Sequence, residues 1–165
     1  MTTTHLLDKG RALRTLRRTL PIYELVLRGV DQARALSATD GPDGWCVLEI
    51  LCHVSDFEGI YTERIRRVVD EDRPRFPNVD HMALVTEGEY KSQSLPAVWA
   101  QFVDKRRALV AYLESLPAEA WGREGIYSDG TVGTVTELAI NAALHEINHI
   151  EQTMKALGLS VPVDF

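Results

Sequence analysis

An all-α four-helix bundle is the fold this sequence predicts, and three observations carry the prediction. Four long stretches place apolar residues at helical spacing. The segments between them hold the prolines, glycines and aspartates that end helices. No set of alternating apolar and polar runs offers a sheet to pack against. The helices must therefore bury their faces against one another, with short extra helical segments in the connections.

The first helix is expected over about His5–Gly29, with a kink or restart at Pro21, whose ring and missing N–H oppose a helix interior. Residues 30–44 are turn-rich and end in DGPDG, with a short helical turn at Gln32–Leu36. The second long helix spans about Val47–Asp70. Cys46 stands at its N-cap, three residues before Glu49, where a serine would cap better. The segment EDRPRFPNVD contains two prolines and must be a loop. A helical stretch follows at His81–Tyr90. The third long helix covers Leu95–Ser115, with Ser94 as its cap and Pro96 in its first turn. Leu116-Pro117 ends it. A loop through Trp121 and the turn Ser128-Asp129-Gly130 leads to the capping box Thr134–Glu137. The last helix then runs over Val135–Leu157 and stops at Gly158.

The 165 residues fit one domain spanning 1–165, with 45% hydrophobic and 25% charged residues. A net charge of −6 spread along the chain argues against a nucleic-acid partner, which needs a basic face. Arg11, Arg14, Arg17 and Arg18 read as a solvated helix face. No segment has the length and apolarity of a signal peptide or a membrane span, so no membrane association is expected. Cys46 and Cys52 share one expected helix and point to different sides of it. They cannot bridge each other, and a reducing cytoplasm is the expected compartment.

The last helix carries ALHEINHIEQ, which contains a literal H-E-x-x-H. His145 and His149 lie one turn apart on one face, in a polar stripe with Asn141 and Gln152. Ile140, Leu144, Ile147 and Met154 form an apolar stripe to one side. A helix this apolar is expected to be buried, and buried imidazoles need partners. Those partners are either a metal ion or other core groups. A zinc peptidase would take a further ligand downstream of the motif. Position 155 is Lys155, and the downstream acids Glu151 and Asp164 do not fit, so the peptidase is a remote alternative. Upstream, His53 sits in the apolar run LEILCHV and becomes a candidate third ligand. Three histidines from two helices would leave coordination positions open for chemistry. Glu49 and Asp56 lie about a turn from His53. Glu49 reads as a cap residue. Cys46 is about 10 Å along the axis from His53, too far to share its ion. Cys52 reads as packing.

The stretch GWCVLEILCHVSDFEGIYTERI, the proline-bearing loop after it, and LHEINHIEQ together resemble the DinB-like family of YfiT-type four-helix-bundle metalloproteins. The resemblance covers nearly the whole chain. It implies a metal triad of His53, His145 and His149 around a divalent ion such as nickel or zinc. It also implies a homodimer. The family includes thiol-dependent transferases and an isomerase that use low-molecular-weight thiols as cosubstrates. Cys46 replaces the serine often found at that position. The expected function is a metal-dependent enzyme that activates a small thiol or water toward a small-molecule substrate, transferase-like or hydrolase-like. Glu146, Asp56 and Tyr61 are the candidate base or positioning groups. The alternative is a non-catalytic bundle in which the ion serves stability or stress sensing.

Overall fold

The structure, a computed structural model, describes residues 3–159. Asp164 and both ends of the expected domain 1–165 lie outside the described residues. The order is α1 (Thr3–Val26), α2 (Gln32–Ser37), α3 (Val47–Asp70), α4 (His81–Glu87), a 3-10 turn at Tyr90–Ser92, α5 (Leu95–Ser115), a second 3-10 turn at Ala118–Gly122, β1 (Glu124–Ile126), β2 (Val132–Thr134) and α6 (Val135–Ala156). No helix among the described residues is long and apolar enough to cross a membrane.

The four long helices form the predicted bundle. On one side α6 packs between α1 and α3, and on the other α5 does the same. Residue pairs fix the directions. Ser55 meets Gln101 and Glu58 meets Arg106, so α3 and α5 run parallel. Thr19 meets Glu146 and Tyr23 meets Thr153, so α1 and α6 run parallel. Lys9 donates to the Leu116 carbonyl while Tyr23 packs on Trp99, so α1 opposes α5. His53 faces His149 and Tyr61 faces His145, so α3 opposes α6. Because α3 and α5 are parallel, the connection from Glu71 to Ser94 must return along the bundle. That return carries α4 across the face that holds His53.

Two apolar layers fill the interior. Ile65, Leu109, Leu113, Leu138 and Trp121 lie in one, and Tyr23, Leu48, Leu51 and Phe102 in the other. Between them lies a polar layer with one residue from each long helix: Thr19, Glu58, Arg106 and Glu146, all buried. Arg106 donates two bonds to Glu58 at 2.6 and 2.9 Å and one to Glu146 at 2.6 Å. It also donates to the Thr19 hydroxyl and the Leu16 carbonyl, both at 2.9 Å. Thr19 in turn donates to Glu146. A buried charge is tolerable only when paired and hydrogen-bonded in this way.

Several local expectations are corrected. α1 passes through Pro21 without a break and ends at Val26. Pro21 lies on the exposed side, while the fully buried Leu16 and Tyr23 anchor the chain before and after it. Ser94 makes no side-chain cap. The first N–H of α5, on Leu95, donates to the Gln32 side chain of α2 at 2.7 Å. The stretch His81–Tyr90 divides into α4 and a 3-10 turn, with Asp80 capping α4 through the N–H groups of Met82 and Ala83. The Thr134–Glu137 capping box forms as expected.

Strands exist where none were expected. β1 and β2 form an antiparallel hairpin with Gly125 opposite Gly133. Its turn contains Gly130 at φ 88°. At Gly125 a Cβ would overlap the Phe76 ring, so glycine lets the hairpin lie against the end of α3. The buried face of α6 also differs from the expected stripe. It consists of Leu138, Ala139, Ala142, Ala143, Glu146, Ile150 and Thr153, whereas Leu144 is 48% exposed. Small alanines let α6 approach both of its neighbours.

Candidate functional site

His53 lies in the first half of α3, in a run whose residues from Val47 to Ser55 are all buried. His145 and His149 lie one turn apart, from the middle of α6 onward. The antiparallel crossing of these helices brings the three rings together. The His53 and His145 Nε2 atoms are 3.1 Å apart, and the His145 and His149 Nε2 atoms are 3.2 Å apart. One ring nitrogen from each residue lies within 4.8 Å of the others, a set that can hold a metal ion.

Aromatic rings wall the cluster. Trp45, just before α3, meets His53 edge-on at 5.0 Å between centroids. Phe57 packs on His53 at 4.5 Å and on His145 at 4.6 Å. Tyr61 stands 6.0 Å from His145. His81, the first residue of α4, stacks on His53 at 5.6 Å and on Phe57 at 5.1 Å.

The electrostatics favour neutral rings. Burial, reinforced by the neighbouring histidines, lowers His53 and His145 to about 3. Burial also lowers His149, against the opposing effect of the hydrogen bond that it donates to Gln152. Free nitrogen lone pairs are therefore available at neutral pH. Hydrogen bonding alone cannot satisfy this cluster. His149 Nδ1 is 2.7 Å from the Gln152 carbonyl oxygen, so its proton sits there and its Nε2 is an acceptor. A proton on His145 Nε2 serves His149 or His53 but not both. His53 Nδ1 is buried without a partner among the described residues. A cation answers this convergence of lone pairs, and the residues fit one.

The depressed pKa values carry a stability consequence. In the unfolded chain a histidine takes up its proton near pH 6.5. The folded chain resists this until about pH 3 at His53 and His145. The unfolded state therefore binds more protons as pH falls through this window, and their contribution to stability, full above pH 6.5, is progressively lost. The metal-free protein should melt at a lower temperature at pH 5 than at pH 7.5, and His53→Ala should show a shallower dependence. Equal slopes in a melting series would contradict this.

Of the remaining candidates, all but Tyr61 point away from the cluster. Glu146, the residue that completes H-E-x-x-H, faces Arg106 and Thr19 in the buried polar layer. One of its oxygens has no partner among the described residues, and burial pushes its carboxyl up. A peptidase carboxylate would face the histidines. This one, about 100° around the helix from His145, faces the core. Asp56 is likewise turned away, accepting from the Tyr90 hydroxyl at 2.6 Å with Lys105 at 3.9 Å. Glu49 accepts from the Cys46 N–H at 2.9 Å, as a cap residue does. Cys46 and Cys52 are buried and free. Burial raises both thiols, Cys52 to about 12, so neither is a ready thiolate. Tyr61 remains beside the cluster, its phenol kept neutral by burial. The sequence reading gave no role to His81 or Asp40. His81 reaches the site on the return crossover, and Asp40 through the loop before α3, where Gln152 donates to its carboxylate at 2.6 Å.

The fold has solved relatives. YfiT from Bacillus subtilis, described as a probable metal-dependent hydrolase with an unusual four-helix bundle topology, matches with a TM-score of 0.79 at 16% identity, covering 97% of this chain and 91% of that one. A mycothiol-dependent maleylpyruvate isomerase matches with a TM-score of 0.75 at 18% identity over 93% of this chain, which spans only 63% of the isomerase. A histidine-to-alanine mutant of that isomerase gives a TM-score of 0.74 at 18% identity. At these identities the likeness concerns the fold. No curated protein is significantly similar in sequence to this chain. The sequence signature of the DinB superfamily matches residues 14–153, and the chain belongs to that superfamily.

Proposed function

We propose that this protein is a metal-dependent enzyme in which His53, His145 and His149 hold a divalent ion, zinc or nickel, and that it acts on a small molecule with a low-molecular-weight thiol or water as the nucleophile. The carrying observation is the convergence of three imidazole nitrogens among aromatic rings, with no carboxylate of the described residues in the cluster. A bound divalent ion with open positions lowers the pKa of a thiol or water at neutral pH. The chain's own residues would do the rest. Trp45 and Phe57 exclude water around the rings. Gln152 orients His149. Tyr61 offers an unionised phenol beside His145. His81 of α4 adds a fourth ring against His53 and Phe57. The two structural relatives, a probable metal-dependent hydrolase and a mycothiol-dependent isomerase, support this choice of nucleophiles.

The test combines elemental analysis with turnover. Zinc- or nickel-loaded protein is expected to carry one ion per chain, and to consume substrate in a panel pairing low-molecular-weight thiols or water with small electrophiles. His149→Ala should abolish the turnover. Metal-free protein after incubation with either ion would sink the site. Stoichiometric metal with no turnover across the panel, and unfolding on chelation, would instead support a structural ion.

A further inference from the structure

We infer that Asp40 is a positioning residue for the metal centre: through Gln152 it dictates which nitrogen of His149 carries the proton. This rests on the proposed metal site and extends it to a residue outside the triad, on a different loop.

The argument follows hydrogen-bond polarity along a chain of three side chains. Asp40 and the Gln152 amide nitrogen are 2.6 Å apart. An ionised carboxylate only accepts, so it forces the NH2 end of the amide toward itself. The amide oxygen must then face His149, and it lies 2.7 Å from Nδ1. An oxygen acceptor there requires an N–H at Nδ1. A neutral imidazole has one proton, so Nε2 is left with its lone pair directed at His53 and His145. Without Asp40 the amide could turn over, present its NH2 to Nδ1, and shift the ring proton to Nε2, where it would block the ion.

The loop is built to hold this geometry. The Asp40 N–H donates to the Trp45 carbonyl at 3.2 Å, and Thr39 bridges Cys46. A Cβ at position 44 would overlap the Asp40 carboxylate, so Gly44 makes room for it. The same short loop thus carries Asp40, which acts on His149, and Trp45, which packs on His53. Partners behind a metal-bound histidine commonly fix its tautomer and raise its basicity.

The test uses an isosteric change and a compensating one. In Asp40→Asn the shape is kept, but the amide can donate or accept, so the polarity is no longer imposed. In Asp40→Asn/Gln152→Glu the new amide donates to the new carboxylate, which accepts from His149 Nδ1, and the polarity is restored. Zinc affinity is read by competition with a chromophoric chelator. The His149 tautomer is read in metal-free protein from long-range 1H–15N imidazole spectra, assigned by the signal missing from His149→Ala. Asp40→Asn is expected to weaken zinc binding about 10- to 100-fold and to lose the single Nδ1–H tautomer, and the double variant to recover both. A wild-type tautomer in Asp40→Asn would overturn the inference, even if its melting temperature fell. So would a double variant as impaired as the single one. Should Asp40→Asn fail to fold, Gln152→Leu cuts the chain at its middle, and an unchanged tautomer there would be equally fatal. If zinc does not bind wild-type protein, the metal reading fails, while the metal-free spectra still decide the role of Asp40.

Discussion

Arg106→Met is expected to destabilise the fold by about 3–5 kcal/mol, because it strands two buried carboxylates that share one guanidinium. Glu58 loses a bidentate partner and Glu146 its only cation among the described residues, and both are at most 3% exposed. Each must then protonate, hydrate or leave the core. Urea unfolding at pH 7 would show the midpoint falling with little change in slope. Glu146→Gln should cost less. It removes the carboxyl whose second oxygen has no partner among the described residues and leaves the Glu58–Arg106 pair intact. A wild-type midpoint in Arg106→Met would mean that the polar layer contributes nothing to stability.

His145→Ala should have the largest effect on metal binding. Its Nε2 is the shared member of both close contacts, to His53 and to His149. Losing a direct ligand should exceed the roughly 100-fold upper range found for outer partners, so the purified variant should be essentially metal-free. Glu146→Gln, one residue along, should keep its metal. Isothermal titration of both variants with zinc would separate the two neighbours. If Glu146→Gln lost the ion and His145→Ala kept it, the assignment of faces on α6 would be wrong.

The sequence reading and the structure agree where information is local and periodic. The four long helices, the turn-rich connections and the Thr134 cap follow from spacing and capping chemistry. His145 and His149 were legible as neighbours because a helix places every fourth residue on one face. Their meeting with His53 needs the crossing of α3 and α6, which periodicity does not specify; there the family resemblance supplied the pairing. Glu146 and Asp56, candidates in the sequence, face away from the cluster, and spacing alone does not show it. A titratable group one residue or one turn from a ligand looks available until its partners on other elements, Arg106 and Tyr90, are known. The β1–β2 hairpin escaped because three-residue strands are too short to show a period. Asp40 and His81 reach the site through loop paths that carry no periodic signal.

The buried polar layer also acts as an alignment pin. Glu58 directly follows Phe57 on α3, and Glu146 directly follows His145 on α6. Arg106 grips both glutamates, so neither helix can rotate about its axis without pulling a carboxylate off the guanidinium. Successive residues on a helix differ by about 100° in direction. Fixing Glu58 inward therefore aims Phe57 at the cluster, and fixing Glu146 inward aims His145 there. One arginine on a third helix thus sets the azimuth of both helices that build the site. Loosening it should blur the arrangement of the histidines, and metal affinity should decline under conditions where the bundle is still folded.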